Sequence, residues 1–239
     1  WRPSRQPPGI RMAAAQGRSA TVSGKDLAPG TGEGLVADLS ISWWLTLGGA
    51  EAERLQDLIA RHSKSLEAPL FPPHVTLLSG VRLAEGDARM RDLLHSTFQL
   101  AQEIGPMNLV CQEVKGFEQW NQCLLLTVGL TDELASANVR AQQLLKPAPP
   151  DVAAAPAAAF APPVRLPHVS VAYTDFPGDD DRAAAIQRVE DSDPWVKGFA
   201  FTACTLSMWQ TSGGLRGVPT WRKLADFPLA GSRKRKAPV

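Results

Sequence analysis

The 239-residue sequence lacks most of the features that would identify a secreted, membrane or strongly basic protein. It has three cysteines and no Cys-x-x-Cys pair, which excludes a disulfide scaffold and is typical of a reducing compartment. No stretch approaches the roughly 20 consecutive apolar residues that a transmembrane helix needs. The formal net charge is +1, so no global electrostatic field predicts a nucleic acid or a membrane as partner.

Histidine is also scarce, with His62, His74, His95 and His168 as the four in the chain. None of them stands at a metal-ligand spacing from Cys, Asp or Glu, so we expect no metal site and no cofactor. His62 falls on the apolar stripe of a predicted helix and is expected to be a core histidine. His95 lies beside the apolar stripe of another helix and is expected to be structural or exposed.

Three segments have compositions that do not predict regular structure. Residues 1–35 are rich in Gly, Ser, Arg and Pro without periodicity and are typical of a disordered leader. Residues 146–167 hold seven prolines and many alanines, which indicates a low-complexity insertion. Residues 232–239 form a basic tail, so the folded domain is expected at 36–231. We expect a cytoplasmic protein; a nuclear signal in the tail and an organelle transit peptide in the leader are the alternatives.

Between these segments the hydrophobic pattern alternates between period two and helical spacing. The first strand has strict alternation, with Ile41 and Trp43 on one face and Ser42 and Trp44 on the other. A nearly continuous apolar run at 123–128 indicates a central strand. The predicted strands are 39–47, 74–81, 107–116, 120–129, 168–173, 199–209 and 220–229, and the predicted helices are 50–66, 85–103, 131–145 and 179–189.

The resulting order, β-α-β-α-β-β-α-β-α-β-β, contains one internal repeat. Pro73-His74-Val75-Thr76 recurs as Pro167-His168-Val169-Ser170, and each copy opens a strand that precedes a helix. The repeat predicts two similar lobes in an α+β fold, with two antiparallel sheets facing a central cleft and the helices outside.

The repeated tetrapeptides bring together groups that suit one particular chemistry. Residues i and i+2 of a strand point to the same face, so His74 projects with Thr76 and His168 with Ser170. If the two strands line opposite walls of one cleft, a neutral imidazole could take a proton from water while an imidazolium protonates a leaving ribose oxygen. The hydroxyls could donate to the phosphate oxygens. The motifs therefore predict metal-independent hydrolysis of a cyclic phosphodiester. A purely structural repeat is the alternative, but core repeats normally keep apolar residues.

Two further expectations concern the hairpin between the third and fourth strands. A turn centred near Phe117 would place Cys111 opposite Cys123, where both are expected to be reduced core thiols. Phe117 and Trp120 lie beside that turn and could stack on a nucleobase or be structural. Trp44, in the first strand, is expected to lie in the core.

Around the motifs the sequence resembles the two-histidine (2H) phosphoesterases, and among them the plant and fungal cyclic phosphodiesterases. The resemblance covers about residues 39–229. It rests on Ser42-Trp43-Trp44, on Asn121-Gln122-Cys123-Leu124-Leu125-Leu126 followed by Thr131-Asp132-Glu133-Leu134, on Pro167-His168-Val169-Ser170-Val171-Ala172-Tyr173, and on Thr211 with Trp221-Arg222-Lys223-Leu224.

The resemblance implies a bilobal enzyme with a defined substrate class. Its substrate would be ADP-ribose 1″,2″-cyclic phosphate, a by-product of tRNA splicing, which it would convert to ADP-ribose 1″-phosphate. Nucleoside 2′,3′-cyclic phosphates would be opened to 2′-phosphates. By the same resemblance His168 is the base and His74 the acid, while Thr76, Ser170 and Tyr173 bind the substrate. Strand parity alone would point Tyr173 away from His168 and Ser170, unless the strand ends or bulges before it.

Other partners and functions stay open at the level of sequence. The insertion at 146–167 departs from the family pattern directly before the second motif, and could alter the choice among small cyclic phosphate nucleotides. RNA ends are the alternative partner, for an RNA 2′,3′-cyclic phosphodiesterase or an RNA 3′-end processing enzyme of the same superfamily. A non-catalytic nucleotide- or RNA-binding module is the alternative of a different class. Nothing in the sequence indicates an oligomeric state.

Overall fold

The computed structural model describes residues 38–84, 89–145 and 166–230. The predicted leader, most of the predicted Pro/Ala insertion and the predicted basic tail lie outside these residues. All of the described residues belong to one unit, Val36–Val239. None of the helices within the described ranges is long and apolar enough to cross a membrane.

The elements follow the predicted α+β order, with one strand divided and a short helix added near the end. In chain order they are β1 Asp38–Thr46, α1 Gly49–Ser65, β2 Val75–Ala84, α2 Arg89–Glu103, β3 Met107–Lys115, β4 Leu124–Val128, α3 Asp132–Leu145, β5 His168–Ala172, α4 Asp179–Ser192, β6 Ala200–Ala203, β7 Thr205–Gln210, α5 Gly214–Gly217 and β8 Arg222–Pro228. The predicted α+β fold class is confirmed.

The eight strands of the described residues form one antiparallel sheet in the order β6-β3-β4-β5-β2-β1-β7-β8. Strands β6-β3-β4-β5 form one half of it and strands β2-β1-β7-β8 the other. The halves join where β2 pairs with β5, at Val75 and Val169. The two predicted antiparallel sheets are therefore two four-stranded halves joined edge to edge, and the two repeated motifs lie at the junction.

The helices cover the sheet and complete the core. Helix α2 packs on β7 and β8, α3 packs on β2, and α4 packs on β3 and β4. Strand β1 shows how the core face is set, because Ile41, Trp43 and Leu45 are fully buried at alternate positions. The Trp43 Nε1–H donates to Thr97 Oγ1 of α2 at 2.8 Å, so this large core side chain has its polar atom satisfied. The predicted alternation of the first strand is confirmed.

The prediction of one strand at 199–209 is wrong, because this stretch forms two strands in different halves of the sheet. Strand β6 pairs with β3, whereas β7 pairs with β1. The break falls at Cys204, whose N–H donates to the carbonyl of Thr46 and whose carbonyl accepts from the N–H of Leu229. The sequence did not reveal the break because no Gly or Pro interrupts the apolar alternation there.

The predicted pairing of Cys111 with Cys123 is also wrong. The register pairs Cys111 with Val128, because a 3₁₀ turn at Trp120–Gln122 moves the centre of the hairpin beyond Phe117. Cys123 instead lies at the end of that turn and donates its thiol hydrogen to a carbonyl of β5. Both thiols are free and buried, as expected for reduced core cysteines.

The buried carboxylate of Asp193 ties α1 to the turn that follows α4, and it forms an ion pair with the half-exposed Arg61. His62 Nε2 lies 2.9 Å from Asp193 Oδ2, and Arg61 Nη2 lies 2.5 Å from Asp193 Oδ1. The indole N–H of Trp195 also donates to Asp193, at 2.9 Å. His62 is therefore a satisfied core histidine, as predicted, whereas His95 is exposed on α2.

The ion pair provides a test of the fold. We expect Asp193→Asn to lower the free energy of unfolding by about 1–2 kcal/mol, because a neutral amide weakens the hydrogen bonds that the buried carboxylate makes with His62 and Trp195. Urea unfolding would measure the change. The matched control is Asp191→Asn on the exposed face of α4, for which a change within about 0.5 kcal/mol is expected. Equal effects of the two substitutions would contradict the structural role given to Asp193.

Candidate active site

The two repeated motifs lie side by side on the adjacent strands β2 and β5. Their central valines pair with each other and are fully buried. Because side chains alternate along a strand and the two strands run antiparallel, this register places His74 across from Ser170 and Thr76 across from His168. The two imidazoles and the two hydroxyls therefore share one face of the sheet. Their convergence was predicted, but on neighbouring strands of a joined sheet rather than on opposite walls.

A cavity of about 650 Å³ lies over this face, within the range of small-ligand sites. His74, Thr76, His168 and Tyr173 line the cavity. Ser170 does not line it; it is buried next to the side chain of Tyr173. Strand β5 ends at Ala172, one residue before Tyr173. The alternation of side chains along the strand therefore does not fix the direction of the Tyr173 side chain. Four of the five predicted site residues therefore line the cavity, and the fifth, Ser170, lies behind Tyr173.

Each motif histidine is held by the same short backbone contact. His74 Nδ1–H donates to the carbonyl of Pro72 at 2.7 Å, and His168 Nδ1–H donates to the carbonyl of Leu166 at 3.0 Å. A carbonyl can only accept, so Nδ1 carries the proton in both rings and Nε2 is the nitrogen that exchanges protons. A proline precedes each histidine, and it fixes its own φ and keeps the residue before it extended. The Pro-His sequence therefore explains why both rings adopt the same contact.

Trp44 packs directly on the ring of His74. Their ring centroids are 3.6 Å apart with an interplanar angle of 9°, and Trp209 stacks on Trp44 at 4.4 Å. Trp44 is buried, as predicted, but it also lines the cavity. The alternation of β1 places it on the same face as Ser42, which lines the cavity too. An aromatic residue on the polar face of a strand was the signal that could have assigned Trp44 to the site.

A cluster of aromatic rings surrounds Tyr173. Phe71 stacks on it at 4.0 Å, while Trp120 and Trp221 meet it edge-on at 5.5 and 5.7 Å. Burial raises the pKa of the Tyr173 hydroxyl to about 12, so this hydroxyl stays protonated at neutral pH. Trp120 and Trp221 line the cavity, whereas Phe117 does not. Stacking of a nucleobase on Trp120 stays a prediction.

Burial controls the charge of both motif histidines. It lowers the pKa of His74 to about 3; the hydrogen bond to the Pro72 carbonyl opposes this shift and the charge of His168 adds to it. Burial also lowers the pKa of His168, against its hydrogen bond to the carbonyl of Leu166. Both rings are therefore neutral near pH 7 in the free protein. An anion placed between them would raise both pKa values, because it favours the imidazolium form.

The described residues that line the cavity include no Lys, Arg, Asp or Glu. Their polar groups are hydroxyls, amides and the two imidazoles. Within the described ranges, no group of three or more His, Cys, Asp or Glu residues is placed to hold a metal ion. A phosphate bound in this part of the cavity would therefore rely on the imidazoles for charge neutralisation.

A family model described as "Cyclic phosphodiesterase-like protein" matches residues 39–234, which include every element of the fold and both motifs. The chain belongs to the cyclic phosphodiesterase-like family. The curated proteins contain no significant match to the sequence. Family membership confirms the 2H phosphoesterase likeness at this broad level, and supports hydrolysis of phosphodiesters or cyclic phosphates as the class of reaction.

Several solved structures are similar to this chain at low sequence identity. TT0787 of Thermus thermophilus is 17% identical with a TM-score of 0.51, over 80% of this chain and 98% of that one. LigT of Escherichia coli in its apo form is 11% identical with a TM-score of 0.49, over 81% and 98%. Usb1 of Kluyveromyces marxianus is 14% identical with a TM-score of 0.40, over 80% and 96%. Of these three structures only TT0787 supports the fold, and at 17% identity it supports the fold alone, so the site of this cyclic phosphodiesterase-like protein is argued from its own geometry.

The cavity of this cyclic phosphodiesterase-like protein also contains residues that the sequence did not single out. Asn138 and Gln142 reach it from α3, where both are buried. They lie one helical turn apart, on the same side of α3 as the buried residues Leu134 and Ala141. The signal in the sequence was a pair of amides within the apolar stripe of a predicted helix. It did not assign Asn138 and Gln142 to a site, because buried amides in a helix are usually structural.

The low pKa of His74 can be tested in the free protein. We expect its imidazole to stay neutral as the pH falls through 6.5 and to protonate near pH 3. NMR shifts of the imidazole carbon and hydrogen would follow this titration, with the urea-unfolded chain as control near pH 6.5. Trp44→Ala should raise the midpoint, because it opens the ring to water. A midpoint near 6.5 in the folded protein would contradict the burial argument.

The same shift makes stability depend on pH in a defined direction. Because the folded-state pKa lies below the unfolded value, the contribution of neutral His74 is fully present above about pH 6.5. It is lost progressively as the pH falls toward 3, since the unfolded state then binds the extra proton.

Proposed function

We propose that this protein hydrolyses small cyclic phosphodiesters. ADP-ribose 1″,2″-cyclic phosphate would give ADP-ribose 1″-phosphate, and nucleoside 2′,3′-cyclic phosphates would give nucleoside 2′-phosphates. The observation that carries the proposal is the pair of His-x-Thr/Ser motifs on adjacent strands, which turn two imidazoles toward one cavity. In both rings Nδ1 is held by a carbonyl, which leaves Nε2 for proton transfer. Membership of the cyclic phosphodiesterase-like family supports the same reaction class.

The reaction needs one proton acceptor and one proton donor. A water molecule attacks the phosphorus atom while a neutral imidazole Nε2 takes one of its protons. The bond from phosphorus to the departing ribose oxygen breaks, and an imidazolium Nε2–H gives that oxygen a proton. For a nucleoside 2′,3′-cyclic phosphate the departing oxygen is O3′, so the phosphate stays on O2′. In this scheme the two histidines perform both proton transfers and no metal takes part.

The hydroxyls stabilise the charge on the phosphate oxygens. Thr76 lines the cavity across the strand pair from His168, so its hydroxyl can donate to a non-bridging oxygen. The side chain of Ser170 lies next to that of Tyr173. We propose that this pair supplies the second donor, with Tyr173 nearer to the substrate.

The family resemblance assigns His168 as the base and His74 as the acid, and the site imposes a condition on that assignment. In the free protein the pKa of His74 is about 3, so His74 has no proton to give at neutral pH. The acid role therefore requires the bound phosphate anion to raise this pKa. The exchanged assignment, with His74 as the base, instead requires the anion to raise the pKa of His168, which burial also lowers.

A small substrate is favoured over an extended RNA strand. Proteins that bind single strands use a positively charged groove along the backbone. The described lining of the cavity has no Lys or Arg, so it offers no such path beyond the two histidines. An RNA with a 2′,3′-cyclic phosphate end is the second candidate, since the reacting group is the same.

Replacing either motif histidine tests the mechanism. We expect His74→Ala and His168→Ala each to reduce kcat/KM for adenosine 2′,3′-cyclic phosphate by at least about 100-fold, because each removes one proton transfer. The matched control is His95→Ala, which removes an exposed histidine of α2 and should leave turnover unchanged. If both motif variants stayed near the wild-type rate, the two-histidine mechanism would be wrong, whereas a wild-type protein without turnover would be a nucleotide-binding module.

The substrate class can be decided by direct competition. Wild-type protein would be given equal concentrations of ADP-ribose 1″,2″-cyclic phosphate and a short RNA with a 2′,3′-cyclic phosphate end. We expect at least about tenfold preference for the ADP-ribose compound, because the described lining of the cavity has no Lys or Arg to hold additional nucleotides. Preference for the RNA in the same mixture would replace the small-nucleotide proposal with RNA-end processing.

A further inference from the structure

The second set of polar groups in the cavity lies beyond the phosphate-facing motifs. Phe71, which stacks on Tyr173, precedes His74 in the chain. The amides of Asn138 and Gln142 lie near the other side of the motif, close to the residue that follows Thr76. Asn138 reaches β2 at Leu77, where its Nδ2 donates to the backbone carbonyl at 2.5 Å. Gln142 donates from Nε2 to Asn138 Oδ1 at 2.7 Å.

The orientation of both amides follows from this chain of contacts. The carbonyl of Leu77 can only accept, so Asn138 must present its NH₂ group to it. Asn138 Oδ1 then faces Gln142 and can only accept, so Gln142 must also present its NH₂ group. The carbonyl oxygen of Gln142, Oε1, is consequently the atom that can accept a further hydrogen bond.

This acceptor is buried and has no hydrogen-bond partner among the described residues. Gln142 as a whole is 3% exposed, and it lines the cavity. Buried side-chain oxygens in folded proteins almost always have a partner, so an unpaired one at a cavity wall points to a group that the described residues do not supply.

We infer that Gln142 Oε1 accepts a hydrogen bond from the nucleoside part of the substrate, and so contributes to its selection. A cyclic phosphodiester anion carries only acceptor oxygens and cannot supply the hydrogen. The donor must be a ribose hydroxyl or an N–H group of the base, since both are present on the nucleotides of the proposed function, on which this inference rests. Asn138 acts as a positioning residue, because its Oδ1 accepts from Gln142 Nε2 and so leaves Oε1 as the acceptor without a partner among the described residues.

Calorimetric binding of adenosine 2′-phosphate, the product class, tests this without requiring turnover. We expect Gln142→Leu to raise the Kd about 3- to 10-fold, the range that corresponds to one neutral hydrogen bond. The matched control is Gln143→Leu, the same change at the next and exposed position of α3, which should alter the Kd less than about twofold. An unchanged Kd for Gln142→Leu would overturn the inference.

Analogues separate a direct contact from a general effect on the fold. Three ligands would be used: 3′-O-methyl, 5′-O-methyl and N6,N6-dimethyl adenosine 2′-phosphate. If Gln142 accepts from one of these donors, the difference between wild type and Gln142→Leu should disappear for the analogue that lacks it. The same loss for every analogue would mean that Gln142 supports only the fold. Gln142→Met serves as the second variant if thermal unfolding shows that the leucine variant is not folded.

Failure of this inference and failure of the proposed function give different results. Wild-type turnover of adenosine 2′,3′-cyclic phosphate together with Gln142-independent binding would remove the inference alone. Gln142-dependent binding without any turnover would remove the hydrolytic function and keep the contact. No binding of adenosine 2′-phosphate by the wild-type protein would overturn the contact directly.

Discussion

The pairing of β2 with β5 is the contact on which the rest of the structure depends. It joins the two four-stranded halves of the sheet, and it does so through the central valines of the repeated motifs. Since Val75 and Val169 are buried on one face, alternation directs the histidine and hydroxyl of each motif to the other. A slip of one residue would move the imidazoles to the core face of the sheet and the valines to the cavity face. The contact that closes the sheet therefore also assembles the candidate site.

A second constraint is the low polarity around the imidazoles. Trp44 covers one face of His74, and a backbone carbonyl holds the inner nitrogen of each motif histidine. Burial keeps both rings neutral in the free protein. An imidazolium therefore forms only when a bound anion raises the pKa of one ring. In the proposed mechanism the phosphate anion both fills the cavity and raises the imidazole pKa values, which couples substrate binding to the supply of the acid.

Local patterns were sufficient to predict much of the fold and the composition of the candidate site. The period-two pattern of β1 and the repeated Pro-His tetrapeptide are both local signals, and each predicted the correct element. Non-local facts were beyond the sequence: which strands are neighbours, and that the chain crosses from one half of the sheet to the other at Cys204. Trp44 was correctly expected to be buried, but its stacking on His74 depends on the register between β1 and β2. Gln142 was missed because a buried amide is recognisable as unpaired only when its surroundings are known.

The central claim is that two histidines on one sheet face open a cyclic phosphate by acid–base catalysis. The most direct measurement is ³¹P NMR of adenosine 2′,3′-cyclic phosphate incubated with the wild-type protein in EDTA. The account predicts that the cyclic phosphate signal is replaced by that of adenosine 2′-phosphate alone. A cyclic signal that persists until a divalent metal is added, or conversion to the 3′-phosphate, would contradict it.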